Sequence, residues 1–450
     1  MIPEVLYART PEGVHIAYVV VGKGPMDLVF AGWGYSNIEY TWRIPNQRGF
    51  LQKIGSIGRL IYFDPRGMGL SDKIGGGQLP TLESQMGDVL SVMDAVGSNR
   101  AALLGFDASG PLAILFAATH PERTAALVVY GSEPANDSAP DYPGGWTEEH
   151  WDAYLEELEH RWGQRDYVRE YVKTMAPSLT LDEQALETYT SMFRMTGGPG
   201  TALALETMWR ETDVRDVLPA VHVPTLVLHR TDDTVYSIAG ARFLAEHISG
   251  ARFVELPGGD HLAWEGDNDL LISQIDRFLR SVRDEEAELD RVLATVMFTD
   301  IVGSTERASA LGDRRWKELL AAHHDVVRHL LARYRGREID TAGDGFLATF
   351  DGPARAVRCA RSTVEAVRPL GLEIRAGCHT GEVELDGDEV RGIAVHIGSR
   401  VGALAGPSEV LVSSTVKDLV AGSGLVFDDA GEHELKGVPD RWRLYRVMTG

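Results

Sequence analysis

Short apolar runs alternate with longer stretches of helical periodicity along the first 282 or so residues. The runs at 14–21, 28–30, 60–63, 101–105, 126–130, 225–229 and 253–256 are rich in apolar residues, and strands alternating with helices predict a doubly wound, mostly parallel sheet. Between about 136 and 218 strand candidates are lacking, and Trp146, Trp151, Tyr154, Leu155, Leu158 and Trp162 recur at helical spacing. That predicts a helical insertion where a lid would sit. The charged run 277–292 reads as an interdomain connection. After it the pattern restarts as strand 293–299, helix 313–334, hairpin 338–350, helix 353–367 and strand 372–379. In the long helix Trp316, Leu319, Leu320, Val326, Val327, Leu330 and Leu331 form a core-facing stripe. The expected organisation is a unit 1–282 with its lid at about 136–218, a linker 283–293 and a second unit 294–450.

A chain of 450 residues exceeds one ordinary core. Apolar content of 44% and charged content of 24% are those of a soluble globular protein. With 66 acidic against 44 basic residues the net charge is -22, which argues against nucleic acid or an anionic membrane as a partner. A small polyanion would need locally placed cations or metals. No run approaches the roughly 18 apolar residues of a membrane span and no secretory leader pattern opens the chain, so a cytoplasmic protein is expected. The two cysteines, Cys359 and Cys378, are too few for a disulfide framework and read as small buried apolar groups.

Gly105-Phe106-Asp107-Ala108-Ser109-Gly110 lies between a strand and an Ala/Leu-rich helix. Small residues at 105 and 109 suit a tight turn that presents the residue between them. Here the chain resembles the α/β-hydrolase family, as it does at Ala31-Gly32-Trp33-Gly34 and Phe63-Asp64-Pro65-Arg66-Gly67. The resemblance implies an α/β-hydrolase fold with a helical lid. It departs where the family usually has a serine nucleophile, because Asp107 stands there. Relatives with aspartate at this position attack an alkyl carbon and form an ester that a histidine-activated water hydrolyses. Asp233 and His261, in Gly258-Gly259-Asp260-His261-Leu262, follow in the family's order of acid and histidine. Ala108 and Ala31 depart from residues that support chemistry in relatives, so a binding or regulatory role for a small apolar ligand stands beside hydrolysis of alkyl halides or epoxides. Tyr142, Tyr154, Tyr167 and Tyr171 are the lid tyrosines available to assist.

In the second unit an apolar strand delivers Asp300 to its end, and a glycine-flanked hairpin tip carries Asp344. Two carboxylates beside substrate phosphates suffice for hard cations that keep several waters, and Gly303, Ser304 and Thr305 open a helix whose free N–H groups suit phosphate. The motifs Phe298-Thr299-Asp300-Ile301-Val302-Gly303-Ser304-Thr305, Thr341-Ala342-Gly343-Asp344-Gly345-Phe346, Arg375-Ala376-Gly377-Cys378-His379-Thr380-Gly381, Gly392 to Arg400 and Glu434-Leu435-Lys436-Gly437 closely resemble those of class III nucleotide cyclases. The resemblance implies a second, ferredoxin-like α+β domain. It also implies that a purine nucleoside triphosphate's 3'-hydroxyl attacks its own α-phosphate and expels pyrophosphate.

By the same resemblance Asp300 and Asp344 hold two Mg2+ or Mn2+ ions, with the Ile301 carbonyl as a further ligand. Arg375 and Lys436 bind the triphosphate, and Arg400 stabilises the transition state, with His396 one helical turn before it. Asp340 and Glu389 match the base-selecting positions. Adenylate cyclases usually carry lysine where Asp340 stands, and an acidic residue suits the donors of guanine. The remaining motifs resemble bacterial adenylate cyclases, so ATP is expected and GTP is the alternative. The family builds each site from two subunits, which implies a head-to-tail homodimer through this domain.

Overall fold

The computed structural model describes residues 2–32, 34–73, 80–289, 291–386 and 389–448; Trp33 of the Ala31–Gly34 motif lies outside them. The chain forms two compact units, Met1–Arg283 and Asp284–Gly450.

The first unit is built on β1 (Leu6–Arg9), β2 (His15–Val21), β3 (Asp27–Phe30), β4 (Arg59–Phe63), β5 (Ala101–Phe106), β6 (Thr124–Tyr130), β7 (Thr225–Arg230) and β8 (Arg252–Leu256). They pair in the order β1-β2-β4-β3-β5-β6-β7-β8. β1, β2 and β4 pair antiparallel, and from β4 onward the sheet is parallel. Every residue of β5, β6 and β7 is buried, which is why they appear in sequence as unbroken apolar runs rather than as alternation. Around the sheet lie α1 (Ile38–Arg43), α2 (Pro45–Ile57), α3 (Leu82–Ala95), α4 (Gly110–Thr119), the four insertion helices α5 (Glu148–Arg161), α6 (Arg165–Met175), α7 (Glu183–Thr196) and α8 (Pro199–Glu211), then α9 (Ile238–His247) and α10 (Asn268–Leu289). The charged stretch expected to connect the units begins inside α10. Leu271, Ile275, Phe278, Leu279 and Val282 fall on one helical face and are buried in the core of the first unit, because i, i+3 and i+4 apolar positions outweigh the charged residues between them.

The second unit contains β9 (Arg291–Ile301), α11 (Ser304–Leu311), α12 (Asp313–Tyr334), β10 (Arg337–Ala342), β11 (Gly345–Phe350), α13 (Pro353–Ala366), β12 (Ile374–Asp386), β13 (Glu389–Arg391), α14 (Ile393–Leu404), β14 (Val410–Ser413), α15 (Ser414–Leu419), β15 (Phe427–Glu434) and β16 (Arg441–Val447). The strands order as β10-β11-β9-β12-β14-β16-β15, with β13 paired to β12. Val327, Leu330 and Leu331 of α12 and the inner residues of α13 bury with β9, β11 and β12 in one core, and Cys359 and Cys378 are free thiols within it. α14 lies on β9 and β12 at glycine contacts: a Cβ on Gly377 would stand 2.1 Å from the Gly402 nitrogen, and one on Gly398 would stand 2.5 Å from Val296 Cγ2. That close approach fixes which face of α14 stays in solvent.

Candidate functional sites

β5 ends in a turn that holds Asp107 at φ 53°, a region where a residue with a Cβ is strained. Local bonds hold it there. Ser109 Oγ donates to the Phe106 carbonyl at 2.7 Å and accepts from the Phe106 N–H at 3.0 Å. Ser132 Oγ donates to the Asp107 carbonyl at 2.7 Å, and a Cβ on Gly110 would collide with that hydroxyl at 2.0 Å. The Asp107 side chain therefore stands clear of the sheet, at the carboxyl ends of the parallel strands where open α/β sheets bind ligands.

His261, after β8, turns Nε2 to 3.3 Å from Asp107 Oδ1 and Nδ1 to 2.8 Å from Asp233 Oδ2. The three residues singled out in the sequence are thus brought together. Burial would raise the Asp233 carboxyl, but the charge and hydrogen bond of His261, with His229 and the Val235 N–H, hold it below the usual carboxylate range. Burial would lower His261, yet the two aspartates outweigh it and hold the imidazole up to about 10. At neutral pH it is an imidazolium and a donor. Cancelling the charge of Asp107, as an ester would, removes part of that support and moves His261 toward acting as a base.

The helical insertion encloses a cavity of about 410 Å3 over Asp107. Tyr154, Tyr167 and Tyr171 line it, whereas Tyr142 lies behind the wall and donates to the lining residue Glu133 at Oε2, 2.9 Å away. Sequence reasoning missed Glu206 of α8. It is 6% exposed, and its carboxylate accepts from the hydroxyls of Tyr35 and Tyr154, the latter at 2.8 Å. Burial pushes this carboxyl up to about 7 against those two hydrogen bonds. Its signal in sequence is a charge inside the buried stripe Ala202, Leu205 and Met208.

In the second unit β9 and β12 pair antiparallel with Asp300 directly opposite Arg375. Arg375 Nε and Nη2 donate to Asp300 Oδ2 at 3.0 and 2.5 Å, and Nη1 donates to the Ala403 carbonyl at 3.2 Å. Asp344 occupies the turn between β10 and β11, after Gly343 at φ 65°. Its Oδ2 accepts from the Ile301 N–H at 3.2 Å, which brings the second carboxylate to the end of β9. Gly303 takes φ 68° and opens α11 at Ser304 and Thr305 with no side-chain cap, leaving those N–H groups for another acceptor.

His396 and Arg400 are both exposed on α14, and Arg400 Nε donates to the Lys436 carbonyl at 3.2 Å. Among the described residues no hydrogen bond or ion pair joins either of them to Asp300 or Asp344. Asp340 is exposed on edge strand β10, opposite Leu347 at a register shift. Glu389 on β13 accepts from Arg391 Nε at 3.2 Å. The donors near Asp300, two carboxylates and the Ile301 carbonyl, are all oxygen and fit a hard cation. Among the described residues no group of three or more His, Cys, Asp or Glu is poised for a metal.

The family model for the alpha/beta hydrolase fold matches residues 31–267, and that for the adenylate and guanylate cyclase catalytic domain matches residues 287–449. The chain belongs to the α/β-hydrolase family. It carries, after that domain, an adenylate and guanylate cyclase catalytic domain. It is 27% identical over 157 residues to "Putative adenylate cyclase 3" of Rhizobium meliloti (strain 1021), covering 33% of this chain and 27% of that protein. The chain thus spans about a quarter of that relative's length. It is 26% identical over 282 residues to the AB hydrolase superfamily protein YisY of Bacillus subtilis (strain 168), covering 61% of this chain and 99% of that protein. The esterase EaEST from Exiguobacterium antarcticum superposes with a TM-score of 0.52 at 21% identity, over 62% of this chain and 100% of that one, a likeness of fold. No helix among the described residues is long and apolar enough to cross a membrane.

Proposed function

We propose that the chain is a purine nucleotide cyclase that converts ATP to cyclic AMP and pyrophosphate, with its hydrolase-fold unit as a ligand-responsive regulatory domain. The observation that carries this reading is the approach of the Asp344 carboxylate to the Ile301 N–H, at 3.2 Å, beside Asp300. In this reading Asp300, Asp344 and the Ile301 carbonyl would hold two divalent cations, Mg2+ or Mn2+, which would supply activation of the 3'-hydroxyl and neutralise charge at the α-phosphate. The rest falls to this chain's own side chains and N–H groups. The start of α11 at Gly303, Ser304 and Thr305 takes phosphate oxygens. Arg375 exchanges Asp300 for the triphosphate, which Lys436 also holds. The planar fork of Arg400 meets the charge that develops on the phosphoryl oxygens, and His396 adds a hydrogen bond. Asp340 and Glu389 face the purine. Because among the described residues no hydrogen bond or ion pair joins Arg400 or His396 of α14 to Asp300 or Asp344, the reading calls for a head-to-tail homodimer in which each site draws on both subunits.

The test is incubation of the full-length chain with ATP and with GTP, each with Mg2+ and with Mn2+, and product identification by mass spectrometry. Cyclic AMP that disappears in Asp300→Ala is expected. No cyclic product under any combination overturns the reading, and cyclic GMP as the preferred product assigns the alternative substrate.

A second reading, hydrolysis at Asp107, is favoured by the φ of 53° at that residue and by the 3.3 and 2.8 Å contacts of His261. A carboxylate oxygen of Asp107 would attack an alkyl carbon as its bond to halide or epoxide oxygen breaks. Water deprotonated by His261 would then hydrolyse the ester. His261→Gln incubated with alkyl halides and epoxides should accumulate the adduct mass on Asp107, and no adduct across such a panel overturns this reading.

A further inference from the structure

The cavity over Asp107 is lined unevenly in charge. Its walls are aromatic: Trp146, Tyr154, Tyr171 and Trp209 come from the insertion, and Tyr236 lies across from them. Apart from the aromatic rings and from Asn136, His150, Thr174 and Thr234, the polar side chains on its lining are acids. Asp107, Glu133, Glu157, Glu170 and Glu206 line the space, and the described lining residues include no lysine or arginine. Arg161 satisfies Glu157 and Glu170, and Glu133 is spent on Tyr142 and the N–H groups of Gly145 and Ser237. Asp107 and Glu206 remain. In the triad two carboxylates face one imidazolium, which leaves a formal negative charge on the cavity floor.

Glu206 is the sharper observation. It is almost fully buried, and its hydrogen bonds come from two neutral hydroxyls, Tyr35 and Tyr154. A buried carboxylate is costly unless it takes up a proton or a positive charge compensates it, and no ion pair of Glu206 with Lys, Arg or His occurs among the described residues. The buried hydroxyl of Tyr167, also on the wall, has no hydrogen-bond partner among the described residues. Aromatic faces attract cations through their quadrupoles and do so most strongly in desolvated sites. About 410 Å3 is the size of a pocket for a small organic molecule.

We infer that this cavity binds an organic ammonium ion, an amine bearing alkyl or benzyl groups, with its charge directed at Glu206 and Asp107 and its substituents against the aromatic wall. The inference rests on the proposal that the hydrolase-fold unit is a ligand-binding domain and gives that ligand a chemical class. Neutral and anionic molecules of the same shape meet the same apolar walls but gain nothing from Glu206 and Asp107.

The experiment uses the full-length chain and three probes of one shape: benzyltrimethylammonium, its uncharged carbon isostere 2,2-dimethylpropylbenzene, and phenylmethanesulfonate. Binding is read by quenching of tryptophan fluorescence. The ammonium ion is expected to bind at least tenfold more tightly than the isostere, and the sulfonate not at all. Glu206→Gln should weaken the ammonium complex at least tenfold while leaving the isostere unchanged. Trp146→Leu, at a half-buried wall position, should weaken it several-fold with the far-ultraviolet circular dichroism preserved. Equal binding of the isostere or the sulfonate overturns the inference, as does the absence of ammonium binding by the folded wild-type chain, or wild-type affinity in both variants. Cyclase rates measured with and without saturating ammonium ion test the regulatory proposal separately. Tight binding with no change in rate overturns regulation and supports the site.

Discussion

Arg375 and Asp300 face each other across the β9–β12 ladder, and two guanidinium nitrogens converge on one carboxylate oxygen, Oδ2, at 3.0 and 2.5 Å. The pair is half in solvent, with side chains 34% and 41% exposed, so it adds under about 1 kcal/mol to stability. Its consequence is electrostatic: the carboxylate proposed to bind a divalent cation is held by a cation of the chain itself, and that cation is the one proposed to hold the triphosphate. On the proposed function Arg375 would have to release Asp300 before that carboxylate could hold a divalent cation, and would be free to hold the triphosphate instead.

Arg375→Ala separates the two halves of that exchange. Losing the competitor should lower the Mn2+ concentration that gives half-maximal cyclase activity, and losing a phosphate contact should raise KM for the nucleotide about tenfold, equivalent to about 1.4 kcal/mol. Steady-state titrations of metal at saturating nucleotide, and of nucleotide at saturating metal, read the two effects independently. A rise in both constants would mean that Arg375 does not compete with metal.

Asp300→Asn keeps the shape of the side chain and removes its charge. Outer-shell changes around metals commonly cost about 10- to 100-fold, and removing a ligand is expected to exceed that, with kcat falling more than about 100-fold. The melting temperature should hardly move, because the lost ion pair is half in solvent and adds little to stability. A large drop in melting temperature with activity retained would reverse both roles.

The central strands could be read from the chain because β5, β6 and β7 are buried on both faces and appear as unbroken apolar runs. β1 carries no such signal, since three of its four residues are exposed. The order of Asp107, Asp233 and His261 was legible because each follows a strand. Glu206 was not, since its partners Tyr35 and Tyr154 lie 171 and 52 residues away and no local pattern announces a hydrogen bond across that separation. α10 misled for the opposite reason: its charges are conspicuous, whereas the buried face beneath them shows only at a period of 3.6.

Asp340 gives the proposed substrate its sharpest test. An acceptor at that position opposes the N1 acceptor of adenine, and a lysine would donate to it. Asp340→Lys should raise the ratio of kcat/KM for ATP to that for GTP by about tenfold or more, since one mismatched buried hydrogen bond costs about 1 to 3 kcal/mol. Competition assays with both nucleotides present give the ratio directly. An unchanged ratio would remove Asp340 from base recognition.

Two buried groups over the cavity predict a pH dependence of stability in separate windows. His261 is raised from 6.5 to about 10, against the effect of burial, by Asp233 and Asp107. The folded state therefore binds a proton that the unfolded state has lost, and the stabilisation is complete below pH 6.5 and vanishes as pH rises toward 10. Glu206 is raised from 4.5 to about 7, chiefly by burial; the folded state again holds the extra proton, so stability falls as pH rises between those values. Each group contributes a slope of up to about 1.4 kcal/mol per pH unit inside its window. Apart from Trp316 and Trp442 the tryptophans lie in the first unit, so urea unfolding followed by their fluorescence reports on it. His261→Gln should flatten the fall above pH 7 and leave the lower part, while Glu206→Gln should do the reverse. If both variants keep the wild-type profile, neither group holds its proton as the geometry requires.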